Sequence, residues 1–249
     1  LDLINEGYLD LLDIPEAVIE NQNHIIQRDC YRFKTQHINH EKIRIALANM
    51  QYPIYHLDFE TFPCPVPRFK GEWPYIQSPF EFSLHIESKP GKCDKAKDNF
   101  VFLAETSNDE REALIKALIT QIDGTKGTLL AQNVSFEKGR IKELASIFPQ
   151  YKKTLMQIYD RGFDLIWLLK SKKELYDPAT YSKDEATQVN FYDYRFSGSY
   201  SIKKTLPVFS DLTYNGLQVK NGTEAIVEYA NYPYMTKAEL AIKRKALIE

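Results

Sequence analysis

The alternation of β-prone and helix-periodic segments from Tyr52 onward constrains this chain most, because it leaves few sheet architectures open. Strand patterns occupy 52–60, 79–87 and 99–104, and a helix runs from Asp109 to Ile122. A strand at 128–133 then leads into a helix from Phe136 to Phe148, and Lys153 to Lys170 is mostly helical. Three strands in succession, followed by alternating helix and strand, predict an α/β domain on a mixed sheet flanked by helices. Residues 1–50 read as a small separate helical segment. Asp13-Ile14-Pro15-Glu16 places proline inside a helix start with Asp13 as its cap, and Glu41 to Met50 carries apolar residues at helical spacing. His24, His37 and His40 lie here without a Cys or carboxylate pattern to complete a ligand set, and read as helix-face residues. Residues 171–198 show no period and contain Asp177-Pro178, which predicts a long loop of the kind that serves as a flap.

The first strand of the alternating region carries chemistry. In His56-Leu57-Asp58-Phe59-Glu60-Thr61, two carboxylates stand at i and i+2, on one face of a strand, where they can share one hard cation. Acidic residues at that spacing are common on solvated strand edges, and the pair alone decides nothing. About seventy-five residues later the apolar strand Leu129-Leu130-Ala131 runs into Gln132-Asn133-Val134-Ser135-Phe136-Glu137, with Glu137 near the start of an amphipathic helix. Two strand ends would then bring three carboxylates to one spot. Such a set suits phosphoryl chemistry with two divalent ions roughly 3.5 to 4 Å apart, which activate a water and stabilise the leaving oxygen.

These residues resemble the motifs of the DEDD (DnaQ-like) 3′-5′ exonucleases of the ribonuclease H-like fold. Asp58, Glu60 and Thr61 match a first motif of Asp-x-Glu followed by Thr or Ser. Gln132 to Glu137 matches a second, roughly His-Asn-x-x-Phe-Asp, except that Gln stands for His and Glu for Asp. Phe163-Asp164-Leu165 and Tyr200-Ser201-Ile202-Lys203-Lys204-Thr205-Leu206 resemble the helix starts that precede the third motif. The order and spacing agree over roughly residues 51 to 210. The chain is similar, more closely, to a bacterial family of uncharacterised DnaQ-like domains often fused behind a RecB-like nuclease domain. Pro74 to His85 and Gly198 to Lys204 carry that likeness.

The resemblance implies a ribonuclease H-like fold over 51–249, with 1–50 as a linker from an upstream RecB-like domain. It implies hydrolysis of terminal phosphodiesters in single-stranded DNA or RNA, with Asp58, Glu60 and Glu137 holding two Mg²⁺ or Mn²⁺. Thr61, Phe62, Gln132, Asn133, Phe136 and Lys203 would contact substrate. The third motif, Tyr-x-x-x-Asp or His-x-x-x-x-Asp, has no match: no His follows His85, and Tyr181 with Glu185 has the spacing but precedes the Lys203 helix. In the resembling family that motif follows the helix corresponding to Met235 to Ile248, so the chain, opening on Leu1 and closing on Glu249, reads as a fragment cut before it and of little activity. The extra methylene of Glu137 also strains the strict ligand geometry of Mg²⁺. The geometric expectation is that Asp58, Glu60 and Glu137 converge, that Phe62, Asn133 and the Lys203 helix border the groove, and that the end near Glu249 returns to the cluster. Two other classes stay open: an inactive ribonuclease H-like module that binds nucleic acid or a partner domain, and a metal-dependent nucleotide phosphohydrolase.

Composition is compatible with these readings. Of 249 residues, 43% are hydrophobic and 27% charged, as in a globular protein with a sizeable core. No apolar run approaches the ~20 residues of a membrane span. Three cysteines without Cys-x-x-Cys spacing point to a reducing cytoplasm and away from a zinc site. The net charge of −2 excludes a protein that coats nucleic acid by bulk positive charge, but leaves room for a local basic groove. Lys152 and Lys153, the cluster Lys170, Lys172 and Lys173, and Lys203 with Lys204 are its candidates. Between the first two strands, Phe62 to Tyr75 interleaves Phe62, Phe69, Trp73 and Tyr75 with prolines, Arg68 and Lys70. That composition suits stacking on unpaired bases, and suits equally a set of aromatics that cap the core.

Overall fold

A computed structural model describes residues 2–212 and 222–248. In chain order the regular elements are α1 (Asp2–Asn5), α2 (Gln22–Phe33), β1 (Gln36–Ile38), α3 (His40–Ala48), β2 (Ile54–Pro63), β3 (Gln77–Glu87), β4 (Asn99–Leu103), α4 (Arg111–Gln121), β5 (Thr128–Ala131), α5 (Ser135–Ile147), α6 (Lys152–Asp160), β6 (Gly162–Asp164), α7 (Trp167–Lys170), α8 (Lys183–Thr187), β7 (Phe191–Asp193), α9 (Ile202–Phe209), α10 (Gly222–Ala230) and α11 (Lys237–Ile248). Among the described residues no helix is long and apolar enough to cross a membrane.

The chain is α/β, and it divides into two compact units whose borders differ from the expected linker and domain. One unit joins residues 1–49 to 165–213, and the other joins 50–164 to 214–249. The reason is apolar burial in the aperiodic stretch. Tyr176, Val189, Phe191, Tyr192, Phe196 and Tyr200 are all buried, and Ile26 and Cys30 of α2 enter the same cluster as five of them. β1 pairs antiparallel with β7, with Gln36 opposite Asp193 and Ile38 opposite Phe191. Residues 171–198 are therefore core-forming, and the expected flap is not found. The segment 1–50 is likewise more than a helical linker, since it supplies Ile26 and Cys30 to that core and a strand to its ladder.

The second unit holds a five-stranded mixed sheet in the order β4-β3-β2-β5-β6. β2, β3 and β4 are antiparallel neighbours, whereas β5 and β6 run parallel to β2. Strand β2 occupies the centre because its alternate residues Tyr55, Leu57 and Phe59 are apolar and β-prone. They bury against Phe82 and Leu84 of β3, Leu114, Ile115 and Leu118 of α4, Ile141 and Leu144 of α5, and Leu155 and Ile158 of α6. Each such side chain contributes about 1.5 to 3 kcal/mol of transfer free energy. A second cluster, Phe80, Leu103, Ala104, Ala225, Tyr229 and Tyr232, joins the sheet to α10 and the turn that follows it. The 153–170 stretch, expected to be mostly helical, contains β6. Three residues are too short to show a period; at Gly162 an added Cβ would lie 2.8 Å from the Lys138 side chain, which would have to move aside.

A carboxylate cluster at the centre of the sheet

The period of two along β2 buries Leu57, Phe59 and Thr61 and turns Asp58 and Glu60 to the opposite face. The antiparallel register then sets Ser83 opposite Asp58 and Glu81 opposite Glu60, before an irregularity between Glu60 and Thr61 shifts the pairing. Directly opposed residues share a face, so Glu60 and Glu81 form a cross-strand pair of like charge. Glu81 is 6% exposed, and burial, then the charges of Glu60 and Asp58, push its pKa up to about 8. Burial and the Asp58 charge raise Glu60 to about 7. Asp58 keeps an exposed surface, yet the protein packed around its carboxylate raises its pKa, against one opposing hydrogen bond from the Phe59 N–H. The positive group acting on Glu81 is Arg244 of α11, whose guanidinium donates to the Ala104 carbonyl.

Glu137 reaches this region from the first turn of α5. It is 3% exposed, and its Oε2 has no hydrogen-bond partner. Burial pushes its pKa up to about 8; the charges of Asp58 and Asp164 add to the rise, while its own N–H and Arg140 oppose it. Asp58 thus acts on both Glu60 and Glu137, so the two motifs lie near enough to sense each other's charge. The turn that aims Glu137 is held by Asp164 at the end of β6. Asp164 Oδ1 accepts the Asn133 N–H at 3.0 Å, and Oδ2 accepts the Val134 N–H at 3.1 Å. Asn133 has φ of 63°, a left-handed conformation that Asn tolerates better than most residues.

The remaining residues singled out in the sequence are placed as follows. Thr61 is buried, and its hydroxyl donates to Gln77 Oε1 at 2.6 Å, which ties β2 to the start of β3. Phe62 is half-buried against the Tyr229 ring at 5.7 Å, with the Arg68 guanidinium 4.3 Å above it. Phe136 packs on the core beneath Arg140, at 4.7 Å. Gln132 is half-buried, and Asn133 is exposed beside the cluster. Lys203 is exposed on α9 of the other unit. Glu249 lies outside the described residues. Sequence reasoning missed Glu81 and the bracing role of Asp164. The polar phase of Glu81 between Phe80 and Phe82 is visible in the sequence, but its register opposite Glu60 is not.

The segment between β2 and β3 is built around a buried ion network. Arg111 is 3% exposed, donates to both oxygens of Asp109 at 2.7 Å and to the Lys70 carbonyl at 3.0 Å, and lies 3.5 Å from Glu72. Glu72 Oε2 in turn accepts the N–H groups of Arg68 and Phe69 at 2.7 and 3.0 Å. A tight turn follows, closed by the Ile76 N–H on the Trp73 carbonyl at 3.1 Å. Its third residue, Tyr75, has φ of 61°, a position where glycine is at ease and a bulky residue costs of order 1 to 3 kcal/mol.

Hard carboxylate oxygens with raised pKa values and an orphaned Glu137 Oε2 have the donor chemistry for Mg²⁺ or Mn²⁺. In the geometry described, however, no group of three or more His, Cys, Asp or Glu among the described residues is placed to hold a metal ion. The expected convergence to a two-metal ligand set is therefore not built in these positions.

Residues 55–201, more than half of the chain, match a protein family whose description is Domain of unknown function (DUF2779). The matched span includes Asp58, Glu60, Glu81, Glu137 and Asp164. No curated protein and no solved structure matches the chain.

Proposed function

The chain belongs to the DUF2779 family, and from that footing we propose that it is a metal-dependent 3′-5′ exonuclease domain acting on single-stranded DNA or RNA. The observation that carries this reading is that Asp58 and Glu60 share one face of the central strand and that the Asp58 charge acts on Glu137 at the start of α5 as well as on Glu60. Three consecutive antiparallel strands with the first at the centre, then parallel strands reached through helices, agree with a ribonuclease H-like sheet. When bound, divalent ions would supply an activated water and stabilise the leaving oxygen. Asp58, Glu60 and Glu137 are the residues suited to hold them, Asp164 keeps the turn that presents Glu137, and exposed Asn133 borders the site. The three cysteines are free, which supports a cytoplasmic setting.

Mn²⁺ titrated into the chain should bind weakly, because no three-donor set is prebuilt among the described residues, and Asp58→Asn should abolish the binding. Equal calorimetric affinity in the mutant would sink the assignment. A 5′-labelled oligonucleotide with Mn²⁺ should shorten one nucleotide at a time from its 3′ end. This should be slow, since the resemblance places a further carboxylate and a water-orienting group in a third motif that finds no match here; endonucleolytic cuts would refute the stated polarity. A second reading, a ribonuclease H-like module that binds nucleic acid without hydrolysing it, is favoured by the lack of a metal-holding group among the described residues. Oligonucleotide binding that ignores Mn²⁺ and Asp58→Asn would select it.

A further inference from the structure

The aromatic residues between β2 and β3 separate into two sets. Phe62 and Phe69 are covered, lying beneath the Arg68 guanidinium at 4.3 and 4.7 Å. Trp73 and Tyr75 are 48% and 67% exposed, on either side of Pro74. We infer that Trp73 and Tyr75 form a stacking platform for unpaired bases, through which single-stranded nucleic acid is led towards the carboxylate cluster; this rests on the nucleic-acid reading above and names the residues that contact the bases.

Three features support it. The platform is rigid although its rings are bare: Arg111, Asp109 and Glu72 lock the segment from below, and the Tyr75 N–H donates to the Cys64 carbonyl at 2.8 Å. Rings held in place lose little conformational freedom when a base stacks on them. The backbone at Tyr75 is left-handed, so the position keeps a large flat ring where glycine would fit without strain. Charge is complementary too, since exposed Lys70, three residues before Trp73, suits a phosphate of a strand. Tyr75 precedes β3 by two residues, and Glu81 lies six residues beyond Tyr75, so platform and cluster are separated by at most ~20 Å of extended chain.

The test uses fluorescence anisotropy of a labelled ten-nucleotide oligothymidylate and of an abasic deoxyribose-phosphate strand of the same length and label, with EDTA present so that no metal contributes. The full chain should bind the oligothymidylate about tenfold or more tighter than the abasic strand, in keeping with the known contribution of stacking per base. Trp73→Ala with Tyr75→Ala should remove that difference and leave abasic binding unchanged. Tyr75→Gly should weaken oligothymidylate binding while raising the melting temperature, a pair of signs that loss of folding cannot produce. Equal affinity for the two strands, or full affinity in the double variant, overturns the platform but leaves the exonuclease reading standing on its Mn²⁺ titration. No binding of either strand, with capture of a proline-rich peptide instead, overturns the platform together with the nucleic-acid substrate.

Discussion

Glu81 and Glu137 show how single residues set the chemistry of this sheet. Their pKa values of about 8, against an ordinary 4.5, mean that the folded protein holds two protons over a range in which the unfolded chain has released them. The stability from this linkage is complete below pH ~4.5 and is lost as pH rises through about 8, at roughly 1.4 kcal/mol per unit for each group. With chelator present, the melting temperature should therefore fall between pH 5 and pH 8. Glu81→Gln should flatten the fall and raise the melting temperature at pH 8, because the amide no longer repels Glu60 and Asp58; an unchanged slope would contradict the cross-strand coupling. Asp164→Ala should behave oppositely, costing about 2 to 4 kcal/mol in urea unfolding, since it leaves two backbone N–H groups of the Asn133 turn without their charged acceptor. The period of two made Asp58 and Glu60 readable from sequence as one face. Glu81 was hidden because its place depends on hairpin register, shifted by an irregularity that no local pattern announces.

Elements were readable in proportion to their length. Helices α4 and α5 and strands β2 and β3 lie within a few residues of their sequence-derived bounds, because each runs long enough for apolar spacing to repeat. Strands β6, β1 and β7 span three residues each, and tertiary pairing alone creates them. The join between β5 and the centre of the sheet depends on Gly127, with φ of 82°, where an added Cβ would lie 2.2 Å from the Pro53 carbonyl oxygen. Gly127→Ala should cost about 3 kcal/mol or more, read as a lower urea midpoint with an unchanged slope. Gly139 is the control: inside α5 it has open space around it, and Gly139→Ala should stabilise by about 0.5 to 1 kcal/mol.

At the scale of the whole molecule, the unit that joins residues 1–49 to 165–213 was the least readable feature, since nothing local connects the two segments. Its core explains the union: Ile26 and Cys30 complete a cluster otherwise made of Val189, Phe191, Tyr192, Phe196 and Tyr200. Removing residues 1–49 should uncover those side chains, and the shortened chain should bind a hydrophobic dye such as ANS and lose near-ultraviolet dichroism from its tyrosines, while far-ultraviolet signal from the other unit persists. Full-length-like dichroism after the deletion would show that the N-terminal segment is dispensable for this core.

The same interleaving sets an order of events during synthesis. Residues 1–49 leave the ribosome before their packing partners, which lie beyond residue 164, more than a hundred codons later. At about 5 to 20 residues per second, the first segment waits roughly 5 to 25 s with its apolar faces uncovered. During that wait the sheet between its two halves can already close, since β2 to β6 lie within residues 54–164. Residues 1–49 are thus made before the sheet yet buried after it, and during synthesis they offer chaperones a binding segment.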